Sequence, residues 1–210
     1  MRRIHKGAPP SELEKWIRYN PNTTYADLEN SPAGQELRQQ IRGTCLIEQH
    51  CLCAYCCDLI DDKSSHNEHV VPQSTAPHRT LDFTNIVASC ETKNQCGKAH
   101  GRHPLPLTPL DPECETNLRF FISGNVKGLT ENAKETVRIL KLNCRKLRGK
   151  RKIAIDALIY VAGMKPDELQ LADDILLGIL REDLDKKTED GCLEAFGPVL
   201  VNIIGHLLNV

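Results

Sequence analysis

The sequence predicts an α+β fold in which a small two-stranded unit is embedded in a mostly helical chain. Two cysteine pairs frame this unit: Cys53/Cys56 and Cys90/Cys96. Between the pairs, one short extended run ends at Pro72, which cannot donate to a strand ladder, and a second run covers residues 83–89. After residue 129, apolar residues recur at spacings of three and four, which is typical of helices.

Two helices are expected before the cysteines. Ser11 can cap a short helix that ends near Tyr19, and a second helix starts after Ser31 and runs to about Gln49. Residues 1–10 are basic and then rich in proline, and we interpret them as a solvated arm in preference to a phosphate contact.

The part after the second cysteine pair is predicted to be a hairpin followed by helices. The hairpin covers residues 117–129, and Thr130 caps a helix whose apolar face continues to Leu147. Further helices are expected over 155–162, 169–180 and 195–210. The last of these helices has a wide apolar face, which must be covered. We favour packing on the chain's own helices, and the alternative is docking in a groove of a partner protein.

Composition limits how this chain can contact nucleic acid. Its 210 residues carry a net charge of −1, so any such contact is a local patch. Aromatic residues make up 4%, which argues against base stacking as the main binding device. A basic cluster lies over Lys141–Lys152, and its candidate phosphate contacts are Arg145, Lys146 and Arg148. A solvated helix end is the competing interpretation of this cluster.

The ten cysteines are expected to bind metal more than to form disulfides. No secretory signal stands at the start of the sequence, and no apolar run reaches the ~20 residues that span a bilayer. We therefore expect a cytoplasmic, reducing location without membrane contact, where paired cysteines favour metal. Cys51 and Cys57 stand next to the first pair, so a shifted pairing stays open.

Two kinds of metal ligand are present in the central block. Four thiolates suit a tetrahedral Zn²⁺ that has no position left for water, so this site would be structural. A carboxylate and several imidazoles around Glu68 suit a harder, open site, which could keep water and support catalysis.

The order of these motifs resembles that of HNH endonucleases. Cys-Ala-Tyr-Cys is followed by Glu-His-Val-Val-Pro, by Asn-Ile, by the second cysteine pair and by a histidine, all within residues 45–101. The opening Met-Arg-Arg-Ile-His-Lys-Gly and the Glu48-Gln49 lead resemble the PtuB proteins, the HNH subunits of Septu-type and retron-associated anti-phage systems. The resemblance implies a ββα-metal core with a zinc knuckle of four cysteines.

The resemblance also implies a role for each motif residue. His69 would be the general base, Asn85 would hold the loop that carries it, and the four cysteines would bind structural zinc. Glu68 and His100 would bind a catalytic Mg²⁺ or Mn²⁺. The gap between the second cysteine pair is wider than is common in HNH proteins, so Lys98 and His103 remain alternatives to His100, and His66 is a further candidate to approach the metal.

The function implied is metal-dependent cleavage of DNA or tRNA by a toxic defence effector. Its implied partners are a PtuA-like ATPase of the ABC type and, in retron systems, a reverse transcriptase with its msDNA. The alternative is a non-catalytic zinc-knuckle adaptor or nucleic-acid binder, which would need only the cysteines. We divide the chain into an N-terminal helical arm (1–44), the nuclease core (45–128) and a C-terminal helical region (129–210).

Overall fold

The computed structural model describes residues 1–165 and 168–208, and within them the fold is α+β with two small antiparallel sheets. The helices are α1 (Ser11–Tyr19), α2 (Pro32–Glu48), α3 (Gly97–His100), α4 (Glu131–Ile139), α5 (Arg145–Val161), α6 (Asp174–Leu184) and α7 (Gly197–Leu207). The strands are β1 (Ser65–His69), β2 (Ile86–Cys90), β3 (Leu118–Phe120) and β4 (Val126–Gly128). The predicted fold class is therefore confirmed at the level of an α+β chain.

The N-terminal helices follow the prediction closely. The Ser31 side chain accepts a hydrogen bond from Gly34 N at the start of α2, and Pro32 occupies the first turn, where its missing N–H costs nothing. The cap predicted for α1 is wrong, because Pro10 holds the cap position and Ser11 is already helical.

The first ten residues are not a solvated arm. Met1 and Ile4 are buried in the core. The Lys6 ammonium donates to Glu48 at 2.6 Å and to Ile86 O at 2.9 Å, and it lies over the Phe83 ring. Lys6 is therefore committed to contacts within the chain and does not face a phosphate.

The central sheet pairs β1 with β2 in antiparallel register, from Ser65 opposite Cys90 to His69 opposite Ile86. Helix α2 packs on this sheet, and the Gln49 side chain both donates to Ala88 O and accepts from Ala88 N. Both strands differ slightly from their predicted positions. His69 is the last residue of β1, and Phe83–Asn85 forms a 3-10 turn that leads into β2.

The predicted hairpin is present as β3 and β4, but the helix that follows is shorter than predicted. Thr130 caps α4, as expected, by accepting from Ala133 N. The helix then ends at Ile139 because Lys141 adopts a left-handed conformation, with φ of 51°, and Asn143 bonds to the backbone of Val126. Most of the basic cluster and the predicted third helix consequently form one continuous helix, α5 (Arg145–Val161).

Helix α7 packs on the chain itself. Residues that α7 and its cap bury are Phe196, Val199, Leu200, Ile203 and Ile204. The helix lies against α6 and β3, and Asn202 accepts a hydrogen bond from Phe120 N at 2.9 Å. Residues 209–210 of the predicted last helix lie outside the described residues.

The packing of α7 predicts different stability losses for two isoleucines, one buried and one exposed. Ile204 is fully buried, whereas Ile175 on α6 is 78% exposed. We expect Ile204→Ala to lower the free energy of unfolding by about 2–5 kcal/mol, because a buried side chain leaves a cavity. Ile175→Ala should change it by less than about 0.5 kcal/mol. Urea denaturation of both variants measures the difference, and equal losses would contradict the packing.

The three predicted segments share one hydrophobic core. This core includes Ile41 from the first segment, Ile86 from the second and Ile204 from the third. The predicted boundary after residue 44 falls inside α2. The division into three domains stays a prediction.

A disulfide joins Cys51 to Cys192, 141 residues later in the chain. The expectation that the cysteines bind metal and do not pair is therefore wrong for these two. Next to the disulfide, Leu193 N donates to His50 O, and Phe196 N donates to Cys57 O. These bonds attach the segment before α7 to the turn after α2. Across residues 1–165 and 168–208, no helix is long and apolar enough to cross a membrane.

Candidate metal centre and active site

The four predicted cysteines come together in a buried cluster. Their Sγ atoms all lie within 4.8 Å of one another: Cys53, Cys56, Cys90 and Cys96. Two of them come from the turn after α2, one ends β2 and one precedes α3. Four converging thiols form a group that could hold a metal ion such as zinc. The register is settled by their neighbours, since Cys51 is in the disulfide and Cys57 is buried outside the cluster.

Neighbouring donors point at the sulfur atoms of this cluster. The Gln95 side-chain amide lies 3.7–3.8 Å from the Sγ atoms of Cys56, Cys90 and Cys96. Cys90 N also donates to Cys53 Sγ at 3.4 Å. Donors around a metal site stabilise the charge of its thiolates and orient them. Gln95 was not predicted from the sequence, where one glutamine between two cysteines carries no pattern.

A second cluster forms between β1 and α3, around Glu68. Its Oε1 lies 2.6 Å from Nδ1 of His100, and its Oε2 lies 3.2 Å from Nε2 of His66. The carboxylate is thus held between two imidazoles. The structure brings the predicted ligands Glu68 and His100 together, whereas Lys98 pairs with Glu91 and His103 is exposed.

The Glu68 carboxylate is charged in this setting. Burial by itself raises the pKa of Glu68, but hydrogen bonds with His100 and His66 outweigh it and hold the pKa below its ordinary value. Nε2 of His100 is one of the buried atoms that have no hydrogen-bond partner in the described part of the chain. Carboxylate and imidazole are ligand types that divalent cations accept. Among the described residues, however, only the four cysteines form a group of three or more potential ligands whose ligand atoms lie within 4.8 Å of one another.

His69 lies on the other face of β1 from Glu68, because successive strand residues alternate. Its Nε2 lies 2.8 Å from Thr80 O, which can only accept, so Nε2 carries the proton and Nδ1 has the lone pair. The Gln73 amide donates to Nδ1 at 3.1 Å, and the Tyr25 ring packs edge-on at 4.9 Å. Burial lowers the pKa of His69, although Thr80 and Glu68 oppose this shift.

Asn85 bonds to the loop that follows His69. Its Oδ1 accepts from Val71 N at 2.8 Å, and its Nδ2 donates to Val71 O at 3.0 Å. The side chain is 1% exposed, so these bonds are shielded from water. Asn85 therefore holds the chain two residues beyond His69.

Only part of the basic cluster is open to a ligand. Arg145 and Lys146 are exposed at the start of α5. Arg148 is half-buried and reaches Asn125 at 3.3 Å, while Lys150 pairs with Asp58. Arg151 is fully buried and donates to the carbonyl oxygen of Leu142. It therefore has a structural role.

Comparison with known proteins gives no assignment for this chain. No protein-family model matches it, and no curated protein matches it.

Proposed function

We propose that this protein is a metal-dependent endonuclease of the HNH type, which hydrolyses phosphodiester bonds of nucleic acid. One observation carries the proposal. The charged carboxylate of Glu68 on β1 contacts His100 on α3. The next residue, His69, has a neutral imidazole whose tautomer is fixed by the bond from Nε2 to Thr80 O. Phosphodiester hydrolysis needs a base that takes a proton from water and a positive charge near the phosphate. His69 would be the base, and Glu68 and His100 would hold a cation that carries the positive charge.

In the proposed reaction, Nδ1 of His69 removes a proton from water as its oxygen attacks the phosphorus atom. The bond from phosphorus to the leaving oxygen breaks, and that oxygen takes a proton from solvent. Nε2–H remains bonded to Thr80 O, which stabilises the imidazolium and keeps the ring oriented. Gln73 is exposed, so rotation of its side chain opens Nδ1 to water.

A divalent cation, Mg²⁺ or Mn²⁺, held by Glu68 and His100 would neutralise the charge that develops on the phosphate. Because Glu68 and His69 face opposite sides of β1, the phosphate would lie at the end of this strand. Asn85 is a positioning residue there, since its bonds to Val71 set the path of the chain just past His69.

The proposed biological setting comes from the resemblance to PtuB proteins. In that setting the nuclease is the toxic effector of an anti-phage system. It works with an ABC-type ATPase, and in a retron system with a reverse transcriptase and its msDNA. The apolar face of α7 is used inside the chain, so we expect the ATPase to contact other helical surface.

Cleavage assays test the proposal directly. Purified protein is incubated with labelled double-stranded DNA, single-stranded DNA and tRNA, with Mg²⁺, Mn²⁺ or EDTA, and with and without the ATPase. We expect metal-dependent cleavage of at least one substrate. Glu68→Gln, purified in the same way, controls for contaminating nuclease. Binding without cleavage under every condition would favour the adaptor alternative.

The exposed start of α5 is expected to contact the substrate backbone. Replacing Arg145, Lys146 and Arg148 by glutamine should lower the slope of log affinity against log salt by about 0.9 for each phosphate of duplex DNA that the variant no longer binds. Binding is measured in the Glu68→Gln background, so that cleavage does not interfere.

A charge-matched variant controls for the removal of three positive charges. Lys15, Lys134 and Lys186 are exposed lysines on or beside other helices, each paired with a nearby carboxylate. Their replacement by glutamine should leave the salt slope within error of the parent protein. Equal slopes for the two triple variants would place the phosphate contact elsewhere.

A further inference from the structure

We propose that the disulfide between Cys51 and Cys192 is a thiol–disulfide exchange site, which a dithiol reaches through a cleft beside it. Its reduction releases the segment before α7 from the turn over residues 49–57, which carries Cys53 and Cys56. The redox state of the disulfide therefore controls how firmly the chain holds a metal ion at the four cysteines. This control is independent of the proposed nuclease function.

The first support is an open cleft that reaches both cysteines of the disulfide. The cleft has a volume of about 920 Å³, and it lies between α5, the end of α6 and the segment before α7. Cys51 and Cys192 both line it, and both are only partly buried. Disulfides that are exposed in this way are reduced more easily than enclosed ones, and they are typically the labile or regulatory bonds of a protein.

The second support is the way in which the two segments are held together. Besides the disulfide, Leu193 N donates to His50 O at 3.1 Å, and Phe196 N donates to Cys57 O at 2.7 Å. The ring of His50 also lies 3.3 Å from Gly191 O. Residues 185–191 are exposed, and exposed segments with few buried contacts open locally. Reduction leaves the hydrogen bonds alone to hold this segment on the turn.

The third support is the backbone of the turn. The φ angles of His50 and Cys51 are 52° and 62°, and that of Cys57 is 63°. Residues with a side chain rarely adopt this left-handed conformation, and they keep it only where the surrounding contacts impose it. The disulfide is one of these contacts, so its reduction lets the turn relax. Because Cys53 and Cys56 lie on the turn, two of the four clustered thiols lose their fixed positions.

The exchange is a balanced two-step reaction. A thiolate of the dithiol attacks one sulfur of the disulfide, the S–S bond breaks, and the other cysteine leaves as a thiolate that takes a proton from solvent. The second thiol then loses its proton and attacks the mixed disulfide. The dithiol leaves as an intramolecular disulfide, and the remaining cysteine is protonated. The protein thereby gains two electrons and two protons, which the dithiol loses.

Thiol counting tests the exchange site, with dithiothreitol as the probe. Protein purified without reductant, then denatured with a chelator, should show eight free thiols, and ten after reduction. In the folded protein, the rate of reduction should rise in proportion to the dithiothreitol concentration, because the reagent attacks through the open cleft. Ten thiols before reduction would overturn the proposal. So would a reduction rate that levels off because unfolding must come first.

Hydrogen exchange, measured by mass spectrometry, tests the release of the turn. We expect residues 188–196 and 49–57 to exchange at least about 10-fold faster after reduction, while α2 stays protected over the same labelling time. The double variant Cys51→Ser, Cys192→Ser should match the reduced parent protein. It should also not respond to dithiothreitol, which controls for effects of the reagent on other thiols. Faster exchange in 188–196 alone, or lost protection in α2 as well, would overturn the proposal.

Zinc release tests the link to the cysteine cluster. Protein reconstituted with one equivalent of Zn²⁺ is mixed with the coloured chelator 4-(2-pyridylazo)resorcinol. Release should be at least about 10-fold faster from the double variant than from the oxidised parent protein. If the variant does not fold, reduced parent protein, freed of dithiothreitol by gel filtration under nitrogen, takes its place. Equal release rates, or failure of the parent protein to bind Zn²⁺, would overturn the link and leave the nuclease function to its own cleavage assay.

Discussion

His69→Ala is expected to lower the rate of nucleic acid cleavage by about 10²–10⁴-fold, the usual loss when a general base is removed. Zinc content should not change, because His69 does not contact the cysteine cluster. The side chain is buried and donates to Thr80 O, so a loss of about 1–3 kcal/mol in the free energy of unfolding is also expected. Cleavage rates are therefore compared well below the midpoint of thermal unfolding.

Gln73→Ala is the control that distinguishes loss of the base itself from loss of a hydrogen bond to the base. This substitution removes the hydrogen-bond partner of Nδ1 and leaves the imidazole in place. We expect Gln73→Ala to keep cleavage within about 10-fold of the parent protein, because water can replace the amide. If His69→Ala cleaves as fast as Gln73→Ala, His69 is not the base and the proposed mechanism is wrong.

The second large effect is expected at the cysteine cluster. Cys56→Ser should abolish tight binding of one Zn²⁺ per chain and leave the central segment unfolded or aggregated. Structural zinc contributes about 10–16 kcal/mol of apparent binding free energy in small zinc domains, which is comparable with the whole stability of a folded domain. Elemental analysis and circular dichroism of freshly purified protein measure both effects.

The adjacent Cys57 offers a matched control. Both thiols are 1% exposed, but only Cys56 belongs to the cluster. We expect Cys57→Ser to keep its zinc and to lose only the modest stability that burying a hydroxyl removes, about 1–3 kcal/mol. Zinc absent from the unmodified protein, or lost equally from both variants, would reject the assignment of the four ligands.

The sequence alone did not determine which cysteines before β1 belong to the cluster. Spacing alone could not choose among Cys51, Cys53, Cys56 and Cys57, which crowd one short turn. The structure decides because Cys51 meets Cys192 from the far end of the chain. No local pattern indicates a disulfide between residues so far apart.

Local chemistry was enough to predict several features of the fold. The sequence determined the start of α2 through Ser31 and Pro32, and the cap of α4 through Thr130, because these signals act within one helical turn. The four-cysteine set and the Glu68–His100 pair were also inferred from the sequence, with their roles coming from the resemblance. The end of α4 was missed, because Asn143 bonds to Val126 in the preceding hairpin.

Tertiary structure alone decided which partners surround each predicted site residue. It places Gln73 on Nδ1 of His69, Gln95 on three sulfur atoms, and Glu91 beside His66. It also turns Glu68 and His69 to opposite faces of β1. The physical reason is that the chemistry of a motif residue, such as a cysteine, histidine or glutamate, follows from its side-chain type, which can be read from the sequence. Their neighbours are ordinary polar residues, which gain a role only when folding brings them within hydrogen-bond distance.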